Sequence, residues 1–148
     1  IAFAHFAKAR RLYGDLLDRL SYAYTLWGEG TLHKVLGQLR RAEKAFAEAE
    51  AIFLATRDER GRIYTRLGIG EILILQGKHR QARPLLEKAR AEARGHGFRF
   101  EALHADLLVA ALRNRERRRV SLAPLKRRYA RLGSVFLPDR VDLPLNLP

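Results

Sequence analysis

Cysteine and methionine are absent from this 148-residue chain, serine occurs three times, tryptophan once and proline five times. Without cysteine there is no disulfide framework, no thiolate metal site and no thiol nucleophile. The longest apolar runs fall far short of the ~18 residues that a membrane helix needs, and no basic-then-apolar leader pattern follows Ile1. A chain that opens on Ile1 and holds no methionine reads as a piece of a longer or processed polypeptide. What is present is a folding composition: 47% apolar and 30% charged residues are too hydrophobic for a disordered chain. A chain of this length makes one compact domain or a short stack of repeats, burying roughly 70% of the surface exposed when unfolded.

Acidic residues are the scarcer charge, 16 against 29 basic ones. Lysine accounts for only six of the 29, at Lys8, Lys34, Lys44, Lys78, Lys88 and Lys126, so arginine dominates, as GC-rich coding favours. Residues 113–148 carry ten basic and three acidic side chains, and residues 1–112 carry 19 and 13. Positive charge is therefore densest at the C-terminal end, where an electrostatic partner would meet it.

The chain repeats itself at a shift of 40 residues. Tyr24, Thr25, Gly28, Gly30 and Gly37 recur as Tyr64, Thr65, Gly68, Gly70 and Gly77, and Arg40, Ala42 and Ala49 recur as Arg80, Ala82 and Ala89. The pattern extends back to Ala2, Phe6, Ala9 and Tyr13 and forward from Leu67 to Leu107. A period in this range means stacked supersecondary units. Within each unit, apolar residues at three- and four-residue spacing predict two helices, and Gly77 marks a stop because glycine accepts the left-handed C-cap conformation. Helices are expected at about 1–17, 21–36, 39–56, 61–76, 79–95, 98–113 and 121–132. Gly30, Ala42, Ala49, Gly70, Ala82 and Ala89 fall where antiparallel helices cross closely, and Phe46 and Leu86 fill the space between units.

These residues resemble the tetratricopeptide repeat. A small residue, a glycine seven on, an alanine five further, a large apolar residue and another alanine occur as Gly30, Gly37, Ala42, Phe46 and Ala49, then as Gly70, Gly77, Ala82, Leu86 and Ala89. The spacing is similar to the longer-period form of the family, with a turn at Arg57-Asp58-Glu59-Arg60-Gly61. The resemblance covers residues 2–112 and implies an all-α, right-handed superhelix of antiparallel helix pairs. It divides residues 1–133 into a partial repeat (1–20), repeats at about 21–60 and 61–97, and a degenerate repeat or cap (98–133). An extended Pro/Leu tail, 134–148, follows. Two departures stand out: Glu29 and His33 occupy first-helix positions that are usually apolar, and Arg117 stands where the next Gly37/Gly77 equivalent belongs. Leu122, Leu125, Tyr129 and Leu132, after Ser121 and Pro124, predict a capping helix.

The resemblance further implies a concave face lined by the first helix of each unit. Its family positions are Tyr24, Trp27, Thr31 and Lys34, then Tyr64, Leu67, Glu71 and Ile74, then His104 and Leu107. Aromatic residues with polar tips suit peptide anchoring, although Trp27 and Tyr64 at helical spacing fit a core equally well. Trp27 and Leu67 occupy slots where family members that clamp a terminal carboxylate carry polar residues, so an apolar or mixed segment is the expected ligand. The Leu-Pro-Leu-Asn-Leu-Pro tail is itself such a segment.

A rival reading rests on Arg113, Arg115, Arg117, Arg118, Arg119, Lys126, Arg127, Arg128 and Arg131, a cluster able to neutralise several phosphates or to face an acidic protein. Only Tyr129 is interleaved with it, so no stacking platform for single strands is formed. No opposing Trp/Phe-rich face suits it to a membrane surface. Catalytic signals are sparse: no serine sits in a nucleophile elbow, Glu101-x-x-His104 lacks the second pair that a helix-borne metal site requires, and Gly28-x-Gly30 recurs with the repeat instead of following a strand. The sequence-level expectation is a non-enzymatic, cytoplasmic, bacterial protein-binding scaffold without cofactor or metal. Self-association and contacts with flanking domains remain open, and nucleic acid is the alternative partner.

Overall fold

A computed structural model describes residues 2–15, 18–116, 121–133 and 143–144. Among the described residues the chain is all-helical, without strands: α1 Ala2–Asp15, α2 Arg19–Val35, α3 Leu39–Thr56, α4 Glu59–Leu75, α5 His79–Gly95, α6 Arg99–Arg115 and α7 Ala123–Arg131. These spans agree with the expected ones to within two residues at each end, because the signals that bound them are local. Asp18 and Asp58, one period apart, cap α2 and α4 by accepting from the Ser21 and Gly61 amides at 3.1 and 3.0 Å. Gly37 and Gly77 close the same helices at φ of 76° and 74°, where Gln38 and Lys78 amides donate back to the His33 and Leu73 carbonyls. Gly97 takes the corresponding left-handed position after α5, and Arg57 holds it after α3 at φ 56°.

Successive helices pack on one another, and first helices also meet across units: α2 touches α4, and α4 touches α6. Among the described residues the backbones of the second helices α3 and α5 stay more than 8 Å apart, Cα to Cα, and Arg66 of α4 reaches a carboxylate on each. The contacts are set by small residues receiving large ones. A Cβ on Gly30 would stand 2.9 Å from the Phe46 ring, one on Gly68 2.7 Å from the same ring, and one on Gly70 2.4 Å from Leu86. Phe46 thus sits between α2 of its own unit and α4 of the next, as expected of a spacer between units. One period earlier Phe6 of α1 meets Gly28 in the same way, at 2.9 Å from its would-be Cβ.

The apolar interior runs from a small N-terminal cluster around Leu26 and Phe53, through Phe46 and Ile72, to a larger C-terminal one that includes Leu67, Leu86, Leu103, Leu108 and Tyr129. Burial extends around most of α6, because α4, α5 and α7 all pack against it. The two polar departures are explained by α1. Glu29 accepts from Arg10 Nη1 at 3.0 Å, and His33 lies against Phe3 with ring centroids 4.3 Å apart, its Nδ1 2.6 Å from Gln38 Oε1. Leu125 and Tyr129 of α7 dock on the C-terminal cluster, and Leu143 of the tail packs there too. No described helix is long and apolar enough to cross a membrane.

Candidate functional site

The first helices α2, α4 and α6 carry the ten residues expected on the binding face, and packing divides them. Leu67, Glu71, Ile74 and Leu107 are fully buried, and Lys34 nearly so. Lys34 and Glu71 pair across adjacent first helices, and Leu67, Ile74 and Leu107 belong to the C-terminal core cluster, so these five offer no surface to a partner. This corrects the expectation that all ten line an open groove: spacing places residues on a helix side, but contact between adjacent first helices removes part of that side from solvent.

The accessible residues are aromatic. Tyr24 is exposed; its hydroxyl donates to Asp58 Oδ2 at 2.9 Å, and its ring stands edge-on to Phe53 at 4.8 Å. Burial of one side and then the Asp58 hydrogen bond push its pKa up to about 12, so it acts as a neutral donor. Trp27, half-buried, lies 5.5 Å from the Tyr64 ring at an interplanar angle of 53°. The Tyr64 hydroxyl is held by Glu101, and burial followed by this bond raises its pKa further. Thr31 spends its hydroxyl on the Trp27 carbonyl at 3.0 Å.

Beneath the aromatic pair lies a polar floor. Lys34 pairs with Glu71 across α2 and α4, at side-chain exposures of 5% and 0%. His104 joins them from α6. Its Nε2 is inaccessible and has no hydrogen-bond partner, and burial, then the nearby Lys34 charge, lower its pKa to about 4. Trp27, Thr31, Lys34, Tyr64 and His104 line a small, partly open pocket of about 30 Å³ over Phe46 and Gly68, room for one water by volume. Five expected residues therefore converge on one small space. Trp27 and Tyr64 present an aromatic surface whose Tyr64 and neighbouring Thr31 hydroxyls are already engaged within the fold, above the buried Lys34–Glu71 pair.

Sequence reasoning passed over Asp58, Arg60 and Glu101 as members of this face. Arg60 Nε lies 3.1 Å from Glu101 Oε1, and its guanidinium covers the Phe98 ring at 4.4 Å. The recurrence of Asp18 as Asp58 was a readable signal; the pairing of Glu101 was not. Glu101 and His104 diverge, one toward Arg60 and Tyr64 and the other toward Lys34, and no group of three potential metal ligands occurs among the described residues.

The basic cluster is only partly free. Arg115 and Arg127 are exposed and Arg113 is half-buried, but Arg128 is engaged by Asp106 at 2.5 Å. Arg117, Arg118 and Arg119 lie outside the described residues. A second motif missed in the sequence is a charge swap at the repeat shift. Arg66 pairs with Glu50 at 3.2 Å, and 40 residues on, Asp106 pairs with Arg90 at 3.6 Å.

No family model, curated protein or solved structure matches this chain.

Proposed function

We propose that this chain is a tetratricopeptide-type scaffold that binds a peptide or protein surface on its α2–α4–α6 face. The observation that carries the reading is the Tyr24, Trp27 and Tyr64 group, accessible along adjacent first helices and backed by the buried Lys34–Glu71 pair. Support for the repeat type comes from caps, turns and Gly–Phe contacts that recur every 40 residues, and from first helices that touch while second helices stand apart. That spacing suits an arc with the first helices on its inner side. Such a face binds by being preformed: aromatic rings bury large areas at small entropy cost, and the partner alone is ordered. The role is recognition, without cofactor or bound metal.

Peptides selected from a displayed library on the wild-type chain test this. Titration against Tyr24→Ala, Trp27→Leu and Thr31→Arg is expected to weaken the selected peptides by about tenfold or more, the scale of an interfacial hot spot, while far-UV circular dichroism keeps its helical signature. Undiminished affinity in all three would place binding elsewhere. Complexes that vanish on nuclease treatment or in moderate salt would transfer the function to the arginines.

A further inference from the structure

Consecutive second helices flank the first helix between them, and the groove they leave is treated differently at each level. Between α3 and α5, over α4, charge closes it: Arg62 donates to Glu59 at 2.5 Å and to Glu92 at 2.8 Å, and Arg66 reaches Glu50 at 3.2 Å and Glu92 at 3.4 Å. Between α5 and α7, over α6, the residues 40 positions later are different. Glu59 becomes Arg99, Arg62 becomes Ala102, Glu92 becomes Leu132, and the cap Asp58 becomes Phe98, which makes no side-chain cap. Of the groove's own charges, two carboxylates and the guanidinium that bridged them have gone, and one guanidinium, Arg99, has come in place of Glu59.

A pocket of about 410 Å³ opens at this corner, within the range of ligand sites. Phe98, Ala102 and Leu103 form its apolar floor, and Arg94, Arg99, Arg128 and Arg131 stand around it. Asp106 is shared among Arg90, Arg94 and Arg128, at 3.6, 3.0 and 2.5 Å. Arg99 and Arg131 are exposed and pair with no carboxylate among the described residues. Relative to the level below, the corner gains a hydrophobic seat, and no carboxylate among the described residues pairs with its Arg99 and Arg131.

We propose that this corner docks an acidic, apolar peptide segment of a partner protein. Its carboxylate is bonded by Arg99 and Arg131, while a neighbouring leucine-like side chain lies on Phe98 and the exposed Leu132. Charge complementarity selects an acidic partner, and the apolar floor selects a peptide over a polynucleotide, whose phosphates need only open basic surface. The corner shares no lining residue with the aromatic cavity, although Arg60 of that face lies over the Phe98 ring, so either site can fail alone.

The test is fluorescence anisotropy with a short labelled peptide carrying a Leu-Asp-Glu-Leu core, its Leu-Asn-Gln-Leu counterpart, and a short single-stranded DNA as competitor. Wild type is expected to bind the acidic peptide. The amide peptide and the Arg99→Gln/Arg131→Gln variant each lose about tenfold or more. Leu132→Glu, which restores the carboxylate of the preceding level, loses binding similarly while keeping or raising the thermal midpoint. Thr31→Arg leaves binding unchanged. Failure of wild type to bind, equal affinity for the amide peptide, undiminished binding by Leu132→Glu or by the double arginine variant, or full displacement by equimolar DNA would each overturn the proposal.

Discussion

The ring of Phe46 occupies the space over Gly68, where a Cβ would stand 2.7 Å from its Cζ, although the two residues belong to different helix pairs. The same ring also rests on Gly30, 2.9 Å from a Cβ built there, so it has nowhere to retreat. This contact sets the distance between the two levels.

Gly68→Ala is therefore expected to destabilise the chain. Alanine gains about 1 kcal/mol of helix propensity, but overpacking a rigid, buried ring costs about 1–3 kcal/mol. Urea denaturation is expected to show a lowered midpoint at unchanged slope. Phe46→Leu in the same background recovers part of the loss; a midpoint at or above wild type would mean that the levels separate freely.

The Lys34–Glu71 pair predicts strong non-additivity. Removing the carboxylate, as in Glu71→Leu, strands the buried Lys34 ammonium and costs about 3–5 kcal/mol, Lys34→Met costs less, and replacing both returns most of the larger loss. A double-mutant cycle read by chemical denaturation measures this. Additive single losses would show that the two charges act independently.

His104 predicts a pH dependence. Its folded pKa is lowered to about 4, so it stays neutral in the fold but charges in the unfolded chain near pH 6.5. Between these values the unfolded state binds more protons, so this stability is complete above pH 6.5 and is lost as pH falls toward 4. The loss amounts to about 1–3 kcal/mol. His104→Phe is expected to flatten the slope of unfolding free energy between pH 7 and 5, roughly the upper part of that window. An identical slope in the variant would remove His104 as its source.

Asp58 serves α4 and α2 together, accepting from the Gly61 amide at 3.0 Å and from the Tyr24 hydroxyl at 2.9 Å. Asp58→Ala is expected to cost about 1–2 kcal/mol, and Tyr24→Phe, which spares the cap, about 0.5–1 kcal/mol. Thermal denaturation of both separates cap from cross-helix bond. Equal losses would assign the whole effect to Tyr24.

The helices and their ends were legible in the sequence because their causes lie within a few residues of the effect: three- and four-residue apolar spacing, Gly37 and Gly77 at positive φ, and the break at Gly97. Internal repetition announced Phe46 as a spacer for the same reason, since Gly30, Gly68 and Gly70 recur in register with Phe46 and Leu86. The face was legible only as a set of positions on helix sides.

Tertiary packing alone decided which of those positions meet solvent. Leu67, Ile74 and Leu107 are interior, and Lys34 finds Glu71 37 residues away, because the rotation of each first helix is set by its neighbours and not by its own period. The α5–α7 corner has the same origin. Ala102, Arg99 and Leu132 are ordinary along the chain; only the meeting of three helices turns them into a pocket whose guanidiniums outnumber the carboxylates beside it among the described residues, where Asp106 is shared by three arginines. Local order was written in spacing and caps, while exposure and charge balance are sums over distant residues that only the folded chain performs.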